Sequence, residues 1–285
     1  MTIASLAGKK CFITGAASGI GRATALAAAA EGAELFLTDL DQPLLDRVAA
    51  DVRGAGGRVV AVEAFDIADF EAVAAFAGAV HADHGSMDIV MNVAGIAVWG
   101  TVEAMEHRYW RQVIDVNLMG PIHVIECFLP EMVRAGRGGH LVNVSSAAGL
   151  FGLPWHAAYS ASKFGLRGLS EVLRFDLRRH GIGVSLVCPG GVNTPLVDSV
   201  VVLGVDDTNA GYEAMKARFQ RHAVTPESVA QAILRGVKRN QYMVFTSYDI
   251  RIGYWFQRKL AFPYELVMRV MNDRFAVLAR RAPPP

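Results

Sequence analysis

The sequence predicts a single-domain, doubly wound α/β fold: a parallel sheet of about seven strands with helices on both faces. Three observations carry this expectation: seven short apolar runs, six helix-like segments alternating with them, and a glycine-rich turn between the first run and the first helix. The runs are residues 11–14, 34–38, 58–62, 88–91, 140–144, 183–188 and 242–246. Runs so short and so uniformly apolar suit strands buried on both faces of a parallel sheet. The helix-like segments are 21–31, 42–54, 69–84, 106–134, 159–180 and 226–239. Strict alternation demands crossover helices, and right-handed crossovers wind the sheet in both directions. The last helix has a clear start, because Thr225 is a capping residue and Pro226 suits the first helical position. With no internal repeat or low-complexity linker, residues 1–249 read as one domain, with 195–224 as its long insertion. Residues 250–285 read as a C-terminal extension.

Composition narrows the function classes. The 285 residues are 52% hydrophobic and 19% charged, enough to fill a large core. A net charge of +1 supplies no global basic field, which argues against a nucleic-acid partner. Cys11, Cys127 and Cys188 are few and widely spaced, so neither a disulfide framework nor a metal site is expected, and a cytoplasmic setting suits them. No signal peptide is read at the N-terminus, and no uninterrupted apolar stretch looks long enough to span a bilayer.

The glycine-rich turn points to a dinucleotide. Thr14-Gly15-Ala16-Ala17-Ser18-Gly19-Ile20-Gly21 follows the first strand and opens an Ala-rich helix. Glycines let the chain turn tightly and bring its backbone close to a pyrophosphate, while the helix N-terminus faces the anion. This is a Rossmann-like arrangement. Asp39 ends the second strand eighteen residues after Gly21, where a carboxylate can accept hydrogen bonds from ribose hydroxyls. A 2′-phosphate would meet its charge, and neither Ser18 nor Leu40 supplies a compensating cation, so NAD is favoured over NADP. Asp66, after the third strand, either holds the adenine or caps the next helix.

A second constellation carries acid–base chemistry. Tyr159 and Lys163 lie four residues apart, on one face of a helix. A nearby ammonium favours the phenolate and is expected to lower the tyrosine pKa. Ser146 ends the fifth strand thirteen residues earlier, at the carboxyl edge of the sheet where ligands of such folds bind. It can hydrogen-bond a substrate oxygen, while its neighbour Ser145 should point elsewhere.

Over residues 7–247 the sequence resembles the short-chain dehydrogenase/reductase family. Thr14–Gly21 matches that family's glycine motif, and Ser146, Tyr159 and Lys163 match its catalytic triad in order and spacing. The resemblance implies that Asn117 is the helix asparagine whose distorted backbone holds a water in the proton relay. Pro189-Gly190-Gly191-Val192-Asn193-Thr194 is similar to the segment after the sixth strand, where Thr194 would touch the nicotinamide carboxamide. Asn92-Val93-Ala94-Gly95 matches the Asn-Asn-Ala-Gly turn except that Val93 replaces the second asparagine. Residue chemistry and resemblance together give as expected cofactor contacts Gly15, Ser18, Gly19, Ile20, Gly21, Asp39, Asp66, Asn92, Ala94, Gly95, Tyr159, Lys163, Pro189, Gly190, Val192 and Thr194. The resemblance implies hydride exchange between an alcohol and a carbonyl compound, with Tyr159 as general acid or base. It also implies a homodimer or homotetramer.

The segments expected over the substrate are 97–99, 150–156 and 196–205. They contain Val98, Trp99, Leu150, Phe151, Leu153, Trp155, Val197, Val200, Val201, Val202 and Leu203. These residues either face a lipophilic substrate or are ordinary lid and interface core. His156, three residues before Tyr159, either contacts substrate or is a surface-loop histidine, the reading its position favours. The extension carries seven basic and two acidic residues among its aromatics, a +5 segment on a −4 body. It suits peripheral membrane contact, a partner subunit or a pocket lid equally. The competing reading of the whole chain is a non-catalytic dinucleotide sensor, which would not need all of Ser146, Tyr159 and Lys163.

Overall fold

The computed structural model describes residues 3–196, 200–205 and 223–276. Seven parallel strands form one sheet: β1 Lys10–Thr14, β2 Glu34–Asp39, β3 Arg58–Ala64, β4 Ile89–Asn92, β6 Gly139–Val144, β7 Ile182–Cys188 and β9 Met243–Phe245. Their order is β3-β2-β1-β4-β6-β7-β9. The chain runs outward from β1 to β3 and then crosses back to β4 on the other side of β1. The reversal opens a crevice beyond the carboxyl ends of β1 and β4, where doubly wound folds bind ligands.

The period-two alternation of the strands sorts the core into two layers. Phe12, Phe36, Val90, Leu141 and Val184 point to one face. There they pack against α3 (Phe70–His84) and α5 (Gly120–Ala135). Phe12 lies stacked on Phe128 with ring centroids 4.4 Å apart. Ile13, Leu35, Leu37, Met91, Val142 and Val187 point the other way. They meet α1 (Gly19–Ala30), α2 (Gln42–Gly54) and the helix α7 (Pro226–Lys238). Asp41, Asp69 and Thr225 cap α2, α3 and α7 through their side chains, each holding backbone N–H groups that the first helical turn leaves unpaired.

Three departures from the sequence expectation matter for the site. The long helix expected over 106–134 is two helices, α4 (His107–Ile114) and α5, joined by a π turn at Asp115–Met119. Periodicity does not register this, because a single π turn is a local insertion inside a run that is helical and apolar on either side of it. The helix expected over 159–180 begins earlier, as α6 (Ala157–Asp176), and ends in a 3-10 turn, Leu177–His180. Two three-residue strands, β5 (Val98–Gly100) and β8 (Val201–Leu203), pair in parallel as a small separate sheet. They are too short to read as strands.

The continuous helical run His107–Ala135 is, against expectation, long and apolar enough to span a bilayer, with a window of mean hydropathy 1.3. Packing accounts for part of its apolar character: Val113, Val124, Phe128, Leu129 and Met132 are core residues, and Asn117 is fully buried. The extension forms two helices, α8 (Tyr248–Lys259) and α9 (Ala261–Ala276). Val197, most of the 195–224 insertion, Arg280 and Arg281 lie outside the described residues.

Candidate active site

Two cavities meet in the crevice. The smaller, about 250 Å³, is walled by Gly15, Ser18, Gly19, Ile20, Gly21, Asp39, Asp66, Ala94, Gly95 and Thr194. A β-carbon on Gly21 would collide with the Gly15 carbonyl, and one on Gly15 would lie 2.7 Å from the Ala94 backbone. Both positions therefore require glycine, and Gly15 also has φ +69°. Ser18 precedes α1 without capping it, so its hydroxyl and the first N–H groups of the helix are left for an anion. The Asp39 carboxylate is fixed by the backbone N–H groups of Ala17 (2.9 Å) and Leu40 (2.7 Å). No Lys or Arg is among the described walls of this cavity. Asp66 both lines it and accepts from Ala68 N, so cavity and turn share its carboxylate. Leu40, Phe65, Ile67 and Val116 also line it and carry no sequence signal beyond their apolarity.

Asn92 stands apart from the other expected cofactor residues, for it lines neither cavity. Its side chain turns into the protein and donates to Asn143 Oδ1, and Asn143 in turn donates to Ser170. The hydroxyl of Thr14 accepts from the N–H groups of Val93 and Ala94 at 3.0 and 3.1 Å. That pair of bonds holds the turn after β4 even though Val93 replaces an asparagine.

The larger cavity, about 430 Å³, holds the acid–base group. Ser146, Tyr159 and Lys163 line it with Gly95, Pro189, Gly190, Val192 and Thr194. Ser146 accepts from Ala148 N at 3.1 Å, which orients its hydroxyl, and its hydrogen bond to Tyr159 favours the phenolate. Ser145 points elsewhere, donating to the Lys163 carbonyl at 3.0 Å. Lys163 is buried and donates to the Val144 carbonyl at 3.1 Å, with its ammonium 5.7 Å from the Tyr159 ring centroid. Asn117 lies behind this group in the π turn. Its amide clasps the backbone of Ile96, accepting its N–H and donating to its carbonyl, both at 2.8 Å.

The expected electrostatics need correction. Burial pushes the Tyr159 hydroxyl above its ordinary value, with the Ser146 hydrogen bond opposing. Burial also lowers Lys163 to about 8. Desolvation of both groups outweighs the lowering expected of the ammonium.

The walls facing the substrate also differ in part from expectation. Trp99, Phe151, Leu153 and Val200 line the larger cavity. Val98 and Leu150 are buried as core, and Val201–Leu203 is β8. His156 is a buried cavity residue rather than a surface one. Ile250, Met271 and Phe275 reach the cavity from the extension. The inner stripe of α9 is Tyr264, Met268, Met271 and Phe275, one helical face by spacing. Phe275 meets Trp155 edge-on at 5.2 Å. The opposite face leaves Phe262, Leu266, Val267 and Val270 exposed, as α8 leaves Tyr248, Ile252 and Trp255.

A family model described as short chain dehydrogenase matches residues 9–201. SadH of Mycobacterium tuberculosis, whose oxidoreductase name is itself provisional, is 36% identical over 251 residues, 87% of this chain and 90% of its own. A short chain dehydrogenase/reductase from Burkholderia phymatum, solved with NAD, superposes with a TM-score of 0.79 at 27% identity over 99% of each chain. A metagenomic short-chain oxidoreductase solved with NADP superposes with a TM-score of 0.68 at 32% identity, covering 84% of this chain and 96% of its own.

Proposed function

The chain belongs to the short-chain dehydrogenase/reductase family of oxidoreductases, and on that premise we propose that it interconverts a lipophilic alcohol and its ketone or aldehyde, with NAD as the preferred cofactor. The reading rests on one observation: Ser146, Tyr159 and Lys163 converge in an apolar cavity that adjoins the glycine-lined one.

A bound nicotinamide would supply or accept the hydride. Gly15, Ser18, Gly19, Ile20 and Gly21 would hold its pyrophosphate against the N-terminus of α1, and Asp39 its adenosine ribose. Lys163, Pro189, Gly190, Val192 and Thr194 would hold the nicotinamide end. Tyr159 is protonated at neutral pH, so in reduction its O–H donates to the substrate oxygen. Ser146 donates a hydrogen bond to that same oxygen and stabilises charge developing there. Lys163 keeps a positive charge next to the phenolate left behind. Oxidation runs the same steps backward with Tyr159 as base. Asn117 positions the strand-end loop through Ile96, and its π turn interrupts the regular helical hydrogen bonding that would otherwise exclude a relay water.

Lipophilicity follows from the walls, where Trp99, Phe151, Leu153, Met271 and Phe275 surround the reacting group. NAD preference is supported by Asp39 and Asp66 with no Lys or Arg among the described walls of that cavity. A screen of lipophilic alcohols with NAD and NADP, read by absorbance of the reduced cofactor, tests the reading; turnover of none would overturn it. For the outer face of the α8–α9 hairpin, exposed Trp255, Phe262 and Leu266 beside Arg251, Arg258 and Lys259 favour peripheral contact with an anionic lipid surface. Salt-sensitive co-sedimentation with anionic liposomes tests it, and none at low salt would overturn it.

A further inference from the structure

The loop before α6 places a polar side chain, His156, in the apolar part of the larger cavity. His156 lies three residues before Tyr159, is 8% exposed, and forms part of the cavity wall. Its ring is fixed on three sides. Nδ1 sits 2.6 Å from the Pro154 carbonyl, Trp99 packs on the ring at 4.4 Å between centroids, and Tyr159 meets it edge-on at 6.3 Å. A carbonyl oxygen only accepts, so Nδ1 must carry the hydrogen, and a neutral ring then presents Nε2 as a bare acceptor. Burial holds the His156 pKa below its ordinary value, which keeps the ring neutral near pH 7. No described side chain or backbone N–H donates to Nε2.

The loop that carries His156 is held against its own preference. Trp155 has φ +65°, a left-handed conformation that a bulky residue rarely adopts. Its carbonyl accepts from Gly100 N at 2.9 Å, and its ring is braced by Phe275. Such strain persists only where surrounding contacts over-determine it, and it clusters at ligand sites. The described hydroxyl and amine side chains of the cavity have work already. Ser146, Tyr159 and Lys163 serve the reacting oxygen, Ser145 is spent on the Lys163 carbonyl, and Thr194 lies against Gly19 at the cofactor end.

We infer that His156 is a specificity-determining residue: it selects lipophilic alcohols and carbonyl compounds that carry a second hydrogen-bond donor, such as a hydroxyl, a few bonds from the reacting carbon. This rests on the larger cavity being the substrate site of the proposed reaction. A pocket built to hydrogen-bond a substrate hydroxyl discriminates against the analogue lacking it far more strongly than an apolar pocket discriminates by size.

The test compares acetophenone with its 2-, 3- and 4-hydroxy derivatives on the full-length protein, for the wild type, His156→Phe and His156→Gln. The readout is the ratio of kcat/KM for each hydroxy ketone to that of the parent. At least one isomer should exceed the parent by about tenfold or more in the wild type. That ratio should collapse to near one in His156→Phe and recover in part in His156→Gln, whose amide oxygen can accept. Equilibrium binding of the same four ketones to the protein saturated with NADH, read by tryptophan fluorescence, gives the ratio independently of turnover. Discrimination in binding without turnover would uphold His156 and count only against the proposed reaction. Equal treatment of all four ketones by the wild type in both assays, or a ratio undiminished in His156→Phe, would overturn the inference.

Discussion

The phenolic oxygen of Tyr264, on α9, accepts the backbone N–H of Gly152 at 2.9 Å, tying the C-terminal extension to the loop that runs from Ser146 to Tyr159. The tie is made by the same face of α9 that carries Met271 and Phe275, which line the larger cavity. Residues more than a hundred positions apart thus share one wall. Replacing Met271 and Phe275 together with Ala should raise KM for bulky alcohols by roughly tenfold, the order expected from losing a few buried methylene equivalents at the wall. Because those contacts hold substrate and transition state alike, kcat should change far less. Steady-state kinetics on small and bulky alcohols checks this, and an unchanged KM for the bulky series would contradict it.

Tyr159→Phe should lower kcat by a factor of about 100 to 10,000 or more, because it removes the proton-transferring oxygen and little else. Cofactor binding, measured by fluorescence titration, should be preserved. Lys163→Ala should damage both. Since burial raises Tyr159 and sets Lys163 at about 8, reduction should be supported at pH 7 and fall above pH 8 as the ammonium is lost. Oxidation, which needs the phenolate, should rise with pH from 7. Matching pH profiles in the two directions would argue against this assignment.

Asp39→Ala should narrow the preference for NAD over NADP by roughly tenfold, as a fixed negative charge is removed from the cavity wall. Comparison of kcat/KM with the two cofactors tests this. Equal use of both by the unmutated protein would remove the ground for the preference.

His140 is buried and pairs with Ser185 at 2.8 Å. Burial lowers its pKa from 6.5 to about 4. The folded pKa is therefore below the unfolded one, and the unfolded chain binds the extra proton first. Stability should be fully present above pH 6.5 and decline as the pH falls toward 4, by on the order of 3 kcal/mol from this residue. His81 and His156 shift in the same direction. Denaturant midpoints across this window should flatten in His140→Gln; a wild-type midpoint constant from pH 7 to 4.5 would show that the buried imidazole is not the titrating group.

Phe164, Val172 and Phe175 are exposed on the outer side of α6, whose inner side buries Ala158, Ser162, Lys163, Leu166 and Ser170. A homodimer or homotetramer that buries this face is expected, because monomers rarely leave a contiguous apolar helix face in water. Light scattering at micromolar concentration should give a mass at least twice 30.7 kDa, and Val172→Asp with Phe175→Asp should reduce it. A monomeric wild type would refute the assignment.

Much of this was legible in one dimension. The seven sheet strands and their alternation with helices follow from apolar runs and their spacing, since a buried parallel strand must be apolar on both faces. Gly15 and Gly21 declare themselves because no other residue fits where the backbone crosses itself. Ser146, Tyr159 and Lys163 are readable because strand end and helical spacing fix which side chains share a place. Other features belonged to packing alone. Asn92 looks like a cofactor residue in sequence, yet its side chain turns to Asn143, because strand parity sets which way a side chain points. The family motif marks the backbone at Asn117 as distorted, and the π turn Asp115–Met119 agrees, but that its amide clasps Ile96 is decided by tertiary contact. His156 reads as a loop histidine until Trp99 and Pro154 enclose it, and the basic, aromatic extension shows no destination until Tyr264 meets Gly152. Local spacing determined the elements and the residues that share one; contacts between distant segments, which depend on how the whole chain collapses, decided the walls of the cavity and the charge states within it.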